Sequence, residues 1–208
     1  MPFAAKLSAQ LLKLLKPFCL FATSENSLRS CRCNAVINFS SIAVYPNMDG
    51  EYYEDSEIRP SINNDGLYGL SKFCGENILD LMCKETDIIN LRISQVYGNG
   101  MKKDRIFSIM KKELEETNII SVFGNGRRIS GFIEVNTLVD KVMLFMHNKI
   151  TGIFNISAEN LSYRDLASRI ISQFGDKKSS IRISDQGISS QCYINIDKLK
   201  KVEVDYEL

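Results

Sequence analysis

Tyr68 and Lys72 stand four residues apart in Tyr68-Gly-Leu-Ser-Lys72. On a helix that spacing puts a phenol and an amine on one face, within reach of a common ligand. An ammonium beside a phenol favours the phenolate, which is the form a proton-accepting tyrosine requires. Such a pair could exchange a proton with a hydroxyl group of a bound ligand. The spacing alone decides little, because eight tyrosines and sixteen lysines in 208 residues give about 0.6 chance occurrences. Taken singly, a surface lysine one turn beyond a half-buried tyrosine is the simpler account. Order adds weight: Ser40-Ser41 closes a strand-like run 27 residues before Tyr68, and Leu91-Arg92-Ile-Ser-Gln-Val-Tyr97-Gly98 follows on the next strand.

The elements that must position these residues alternate as in an α/β protein. Residues 35–40 read as a short buried strand, since Val36, Ile37 and Phe39 favour strands and serines end the run. Residues 46–67 hold Pro46, Gly50, Pro60 and Asn63-Asn-Asp-Gly66, too many breakers for an element. Residues 68–84 are expected to be a helix whose core-facing side is Leu70, Phe73, Ile78, Leu81 and Met82, weakened by Gly69 and Gly75. Strands are expected at 87–93, 119–123 and 152–157, and helices at 106–116, 137–148 and 163–174. Strand, helix, strand order implies parallel pairing.

Composition excludes several classes. An apolar content of 44% with 25% charged residues is that of a folded globular chain. Residues 1–33 carry five basic side chains against Glu25, so the remainder is net −3 and offers no basic footprint for nucleic acid. The six cysteines lack paired metal-ligand spacing and His147 is the only histidine, which argues against a metal site. Free thiols fit a reducing cytosol, and no apolar run is long enough to cross a bilayer. Ala4, Leu7, Leu11, Leu14 and Leu15 recur at helical spacing up to Pro17. This basic amphipathic start fits an organellar presequence, and more simply a helix packed on the sheet.

The ordered series of Ser41, Tyr68, Lys72 and Val-Tyr97-Gly98 resembles the extended short-chain dehydrogenase/reductase family, the NAD-dependent epimerases and dehydratases of nucleotide sugars. Phe123-Gly-Asn-Gly-Arg-Arg-Ile-Ser-Gly-Phe-Ile-Glu-Val135, Gly152-Ile-Phe-Asn-Ile-Ser157 and Ile196-Asp-Lys-Leu-Lys200 are similar to its later signatures, so the likeness runs over about residues 35–205. It implies the C-terminal half of a Rossmann-type doubly wound parallel sheet plus a small α+β substrate-binding lobe. Residues 1–33 would be an atypical segment, 34–98 a partial NAD-binding domain, and 99–208 the sheet end with the substrate lobe. By the same likeness Ser41 orients the sugar, Tyr68 is the acid/base, and Lys72 also holds the ribose of NAD or NADP. Gln95 falls where the family often places a substrate-contacting asparagine; a polar strand end explains it equally well. The expected partner is a nucleotide sugar, in a cytoplasmic pathway such as surface polysaccharide synthesis.

Departures from the family pattern narrow the expectation. Ile42 and Ala43 stand where 4,6-dehydratases carry an Asp-Glu pair, so elimination of water is disfavoured and an epimerase or ketosugar reductase fits better. Ser130-Gly131 replaces an Arg-Asp pair; Arg127 or Arg128 would have to meet the diphosphate, the alternative being a solvated basic turn. The chain contains no G-x-G-x-x-G turn for the pyrophosphate. That implies a fragment, either a piece complemented by an N-terminal half or a remnant that binds without turnover. A sheet so cut would expose an apolar edge and promote association, including a homo-oligomer.

Overall fold

The computed structural model describes Phe18–Cys19 and residues 35–206. The amphipathic helix expected near residues 4–15 lies outside the described residues. The main sheet is four-stranded and parallel, in the order β1 (Phe18–Cys19), β2 (Ala35–Ser41), β4 (Asp87–Ile93) and β8 (Gly152–Ile156). Ile37 lies opposite Ile89, and Leu91 pairs with Phe39 on one side and Phe154 on the other. These are continuous apolar runs, as strands covered on both faces require. One polar rung interrupts them: Asn38 Nδ2 donates to Asn90 Oδ1 at 2.8 Å, directly across the ladder.

Helix α1 (Gly66–Met82) crosses over between β2 and β4, as the strand, helix, strand order requires. Helix α2 (Ile106–Thr117) then precedes β6 (Ile119–Val122). Helix α3 (Val135–Asn148) follows β7 (Ile129–Glu134) and covers the sheet with Leu138, Val142, Phe145 and Met146. Phe145 meets Phe154 edge-on at 4.7 Å between ring centres. Glu134 caps α3 by accepting from the Asn136 amide at 2.7 Å, satisfying a donor that a helix start leaves unpaired. Helix α4 (Tyr163–Phe174) is capped in the same way by Ser162, which accepts from the Asp165 amide at 3.0 Å. Helix α5 (Asp197–Asp205) closes the described chain.

A second apolar cluster joins α2, β6 and α4 through Phe107, Met110, Ile120, Leu166 and Ile170. Around it stand a three-stranded sheet, β5 (Gln95–Tyr97), β7 and β9 (Glu159–Ser162), and two short parallel pairs. One pair is β6 with β10 (Ser180–Ile183); the other is β3 (Gly50–Tyr52) with β11 (Cys192–Ile194). The observed architecture is therefore the expected α/β one. The breaker-rich stretch 46–67 nevertheless holds an element, because β3 borrows its partner from 142 residues further along, which no local pattern can signal.

The face of α1 corrects the sequence expectation. Leu70, Ile78 and Leu81 are exposed, Leu81 by 71%, whereas Gly69, Glu76 and Leu79 are the buried positions. The two glycines of the helix also differ. A Cβ on Gly75 would meet nothing within 4 Å. Gly75→Ala is expected to stabilise the chain by ~0.5–1 kcal/mol, because alanine restricts the unfolded backbone at no steric cost. A calorimetric melt should rise by roughly 1–4 °C; a fall would show that position 75 is covered.

Candidate functional site

The carboxyl ends of parallel strands are where such sheets bind ligands, and β2 ends in Ser40-Ser41. Ser41 is the N-cap of a 3-10 turn, Ile42–Val44, and its Oγ accepts from the Ala43 amide at 3.2 Å. That contact uses a lone pair, so the hydroxyl hydrogen remains available to donate. Helix α1 comes against this turn at Gly69: a Cβ there would lie 2.1 Å from the Ala43 carbonyl oxygen. Sequence reasoning saw only lost helix propensity at Gly69, where the close approach of the turn leaves no room for a side chain.

One residue before Gly69, Tyr68 is half-exposed; one turn after Tyr68, Lys72 is half-buried. The Lys72 Nζ lies 5.5 Å from the Tyr68 ring centre and donates to the Phe39 carbonyl at 2.7 Å. The helix thus brings the predicted pair together on one face and ties it to β2 two residues before Ser41. Burial holds the Lys72 pKa below the ordinary lysine value.

Glu76 continues the same row one turn later and was not singled out from the sequence. Its carboxylate accepts from Arg92 Nε at 3.1 Å and Nη2 at 2.8 Å, and the Ser40 hydroxyl donates to it as well. Arg92 Nη1 donates to Tyr45 Oη at 2.9 Å and to the Glu54 carbonyl at 2.8 Å. Tyr45 shares its own hydrogen between Asn155 Oδ1 at 2.8 Å and the Tyr53 carbonyl at 2.9 Å. Burial opposes the Arg92 charge, but the bonds and charges of Glu76 and Tyr45 outweigh it and hold the guanidinium above the ordinary arginine value. Burial likewise raises the Tyr45 phenol, with Arg92 pulling the other way. The signal for Glu76 was its i, i+4, i+8 row with Tyr68 and Lys72, on a face other than the apolar one expected to meet the core.

Gln95 opens β5 just past the end of β4, whose Ile93 pairs with Ser41, so the two segments leave the same end of the sheet. The Gln95 amide donates to Ser130 Oγ at 3.1 Å and to Tyr163 Oη at 3.2 Å. The Arg128 guanidinium stands 4.7 Å from the Tyr163 ring centre, and the Tyr163 amide donates to the Arg128 carbonyl at 2.9 Å. Gln95, Arg128 and Tyr163 therefore form one cluster, with Tyr163 unanticipated. Gly131 is fixed by packing: a Cβ would come within 2.8 Å of Ser157 Oγ and 3.0 Å of Ser94 Cβ. Among the described residues no group of three or more His, Cys, Asp or Glu is arranged to hold a metal ion, and no helix is long and apolar enough to cross a membrane.

Residues 20–157 match the NAD dependent epimerase/dehydratase family, and the chain belongs to that family of extended short-chain dehydrogenases/reductases. No curated protein sequence matches it. Among solved structures it resembles UDP-glucuronic acid 4-epimerase from Bacillus cereus, in complex with UDP-glucuronic acid and NAD, at a TM-score of 0.73 and 22% identity. That match covers 88% of this chain and 59% of the epimerase. The dTDP-glucose 4,6-dehydratase from Bacillus anthracis str. Ames, in complex with NAD, matches at a TM-score of 0.67 and 22% identity, over 83% of this chain and 56% of that one. TunA, an NAD dependent NDP-hexosamine 5,6-dehydratase of tunicamycin biosynthesis, matches at 0.73 and 18% identity, over 88% and 60%. At these identities the likeness establishes the Rossmann-type fold. The chain spans about three-fifths of the length of these relatives.

Proposed function

We propose that this chain carries the acid/base and sugar-orienting part of an NAD(P)-dependent nucleotide-sugar epimerase or ketosugar reductase. The observation that carries the reading is the Tyr68–Lys72 pair on one face of α1, braced against the Ser41 turn. Tyr68 would move the proton of a sugar hydroxyl, its side chain half-exposed on the helix and the Lys72 amine 5.5 Å from its ring centre. Ser41 would orient that hydroxyl through its remaining donor. Gln95 and Arg128 would meet the nucleotide diphosphate side of the substrate. Ile42 and Ala43 supply no carboxylate at the turn, which supports epimerisation or reduction over dehydration.

The residues fit one side of a dinucleotide. Lys72 and Tyr68 suit the nicotinamide ribose, whereas the chain has no glycine-rich turn to receive the pyrophosphate. Bound nicotinamide would supply the hydride acceptor. In this reading residues 34–98 form the partial cofactor domain and 99–208 the sheet end and substrate lobe. A complementing N-terminal half or a second copy would be the partner, in cytoplasmic nucleotide-sugar metabolism. The missing turn is also what favours a second reading, a chain that binds a nucleotide sugar without turnover.

The two separate in one experiment on the full chain, incubated with UDP-glucuronic acid and a large excess of NAD, with C4 epimers resolved by chromatography. The expected result is slow epimer formation. Saturable UDP-glucuronic acid binding in calorimetry without product would select the binding-only reading. Neither binding nor product would sink both.

A further inference from the structure

Glu76 and its partner Arg92 are each only 2% exposed, yet they form an ion pair inside the molecule. Such a pair is a poor device for stability alone, because replacing both partners with apolar side chains is often neutral or better. A two-pronged guanidinium–carboxylate contact does supply a single geometry, which sliding apolar surfaces lack. Helix α1 needs that. Its inner face has no side chain at Gly69, and its large apolar residues Leu67, Leu70, Ile78 and Leu81 are exposed. Apolar anchorage is reduced to Leu79 and the partly buried Phe73 and Met82, and polar contacts set the rest: Lys72 to the Phe39 carbonyl, Ser40 to Glu76, and Glu76 to Arg92. From Arg92 the ties continue to Tyr45 and Glu54, so helix, two strand ends and the following loop are locked together.

We propose that Glu76 and Arg92 are positioning residues, which fix the rotation and height of α1 so that the Lys72 amine meets both the Phe39 carbonyl and the Tyr68 ring. The inference rests on the reading of Tyr68 and Lys72 as the acid/base pair, but its geometric content is tested without cofactor or sugar.

Trace acetylation of the full chain, quantified peptide by peptide, gives the pH profile of the Lys72 amine. In Glu76→Gln that profile is expected to move to higher pH, toward an ordinary lysine, with labelling several-fold faster at its plateau as the amine leaves the strand. Glu76→Gln leaves Arg92 buried without its counter-charge and can unfold the chain, so the double variant Glu76→Leu/Arg92→Met carries the same measurement with an apolar pair. It is expected to melt cooperatively near the parent temperature and still show the displaced Lys72 profile. A folded double variant with the parent profile overturns the proposal, because the pair would then be structural only; so does a double variant that cannot fold. A displaced profile in a chain that proves to have no turnover removes the catalytic reading and leaves this one, whereas an unchanged profile in an active chain does the reverse.

Discussion

Gly69→Ala is expected to destabilise the chain by about 3 kcal/mol, the upper end for forcing an extra methyl into a packed site. The melting temperature should fall by roughly 6–12 °C. Helix propensity predicts the opposite sign, a gain of about 1 kcal/mol for alanine over glycine inside a helix. Sterics decide it. The added methyl would stand 2.1 Å from the Ala43 carbonyl oxygen and 2.7 Å from its carbon, and neither belongs to a side chain that can swing aside. Either α1 backs away from the turn or the turn shifts, and both separate Tyr68 from the Ser41 segment. Gly75→Ala in the same helix serves as the control, since its methyl enters open space. Urea unfolding of the two variants side by side is the measurement. Equal stabilities would show that α1 does not approach the turn as closely as the structure has it.

This pair of glycines also shows where the sequence stops being legible. Strands β2, β4 and β8 of the main sheet announce themselves, because runs such as Val36-Ile37 and Ile88-Ile89 are apolar and bounded by polar residues, and parallel strands buried on both faces leave that trace. Helices α2, α3 and α4 could be read from their periodicity. Ser41, Tyr68 and Lys72 stood out through their order along the chain, and the structure places Tyr68 and Lys72 on one helix face. The burial of α1 was not legible: its apolar residues match a core stripe, and the strand surface instead receives a glycine, a lysine and a glutamate. Periodicity ranks side chains by hydropathy, whereas this interface is selected by size at Gly69 and by hydrogen bonding at Glu76. The short strands β3, β10 and β11 escaped for a different reason, because three or four residues carry no period and their partners are remote in sequence.

The polar wiring bears on how the candidate site is divided. Ser41, Tyr68 and Lys72 hang from β2 and α1, while Gln95 and Tyr163 hang from β5 and α4 and Arg128 immediately precedes β7. Arg92 belongs to β4, the strand that runs out into β5. Its side chain is bonded back to α1 and to the loop after the serine turn. The strand that leads into the Gln95 cluster is therefore pinned to the helix that carries Tyr68 and Lys72. Asn155 extends the same network from β8 to β3 and to the residue after β11, with Nδ2 donating to the carbonyls of Tyr52 and Asn195 at 3.1 Å. Each carbonyl or amide so engaged is a buried group that would otherwise be costly to leave unpaired.

Tyr68→Phe is expected to lower turnover by about 10²–10⁴-fold, the usual contribution of a positioned acid/base group. That corresponds to roughly 3–5.5 kcal/mol on the barrier. The fold should be unaffected, because Tyr68 is half-exposed and phenylalanine keeps the ring. Lys72→Met should lose turnover too, but with a second signature. It removes the donor to the Phe39 carbonyl and costs about 1 kcal/mol of stability through that lost bond. Relief of the amine's burial offsets part of that cost. UDP-glucuronic acid binding, measured by calorimetry, should persist in both variants, since the diphosphate contacts are assigned to Gln95 and Arg128 on other elements. The decisive comparison is Tyr68→Phe: an unchanged melt and unchanged nucleotide-sugar affinity with product formation lost assigns the proton step to the phenol. Undiminished epimer formation in that variant would move the chemistry elsewhere in the chain, however well the sugar binds.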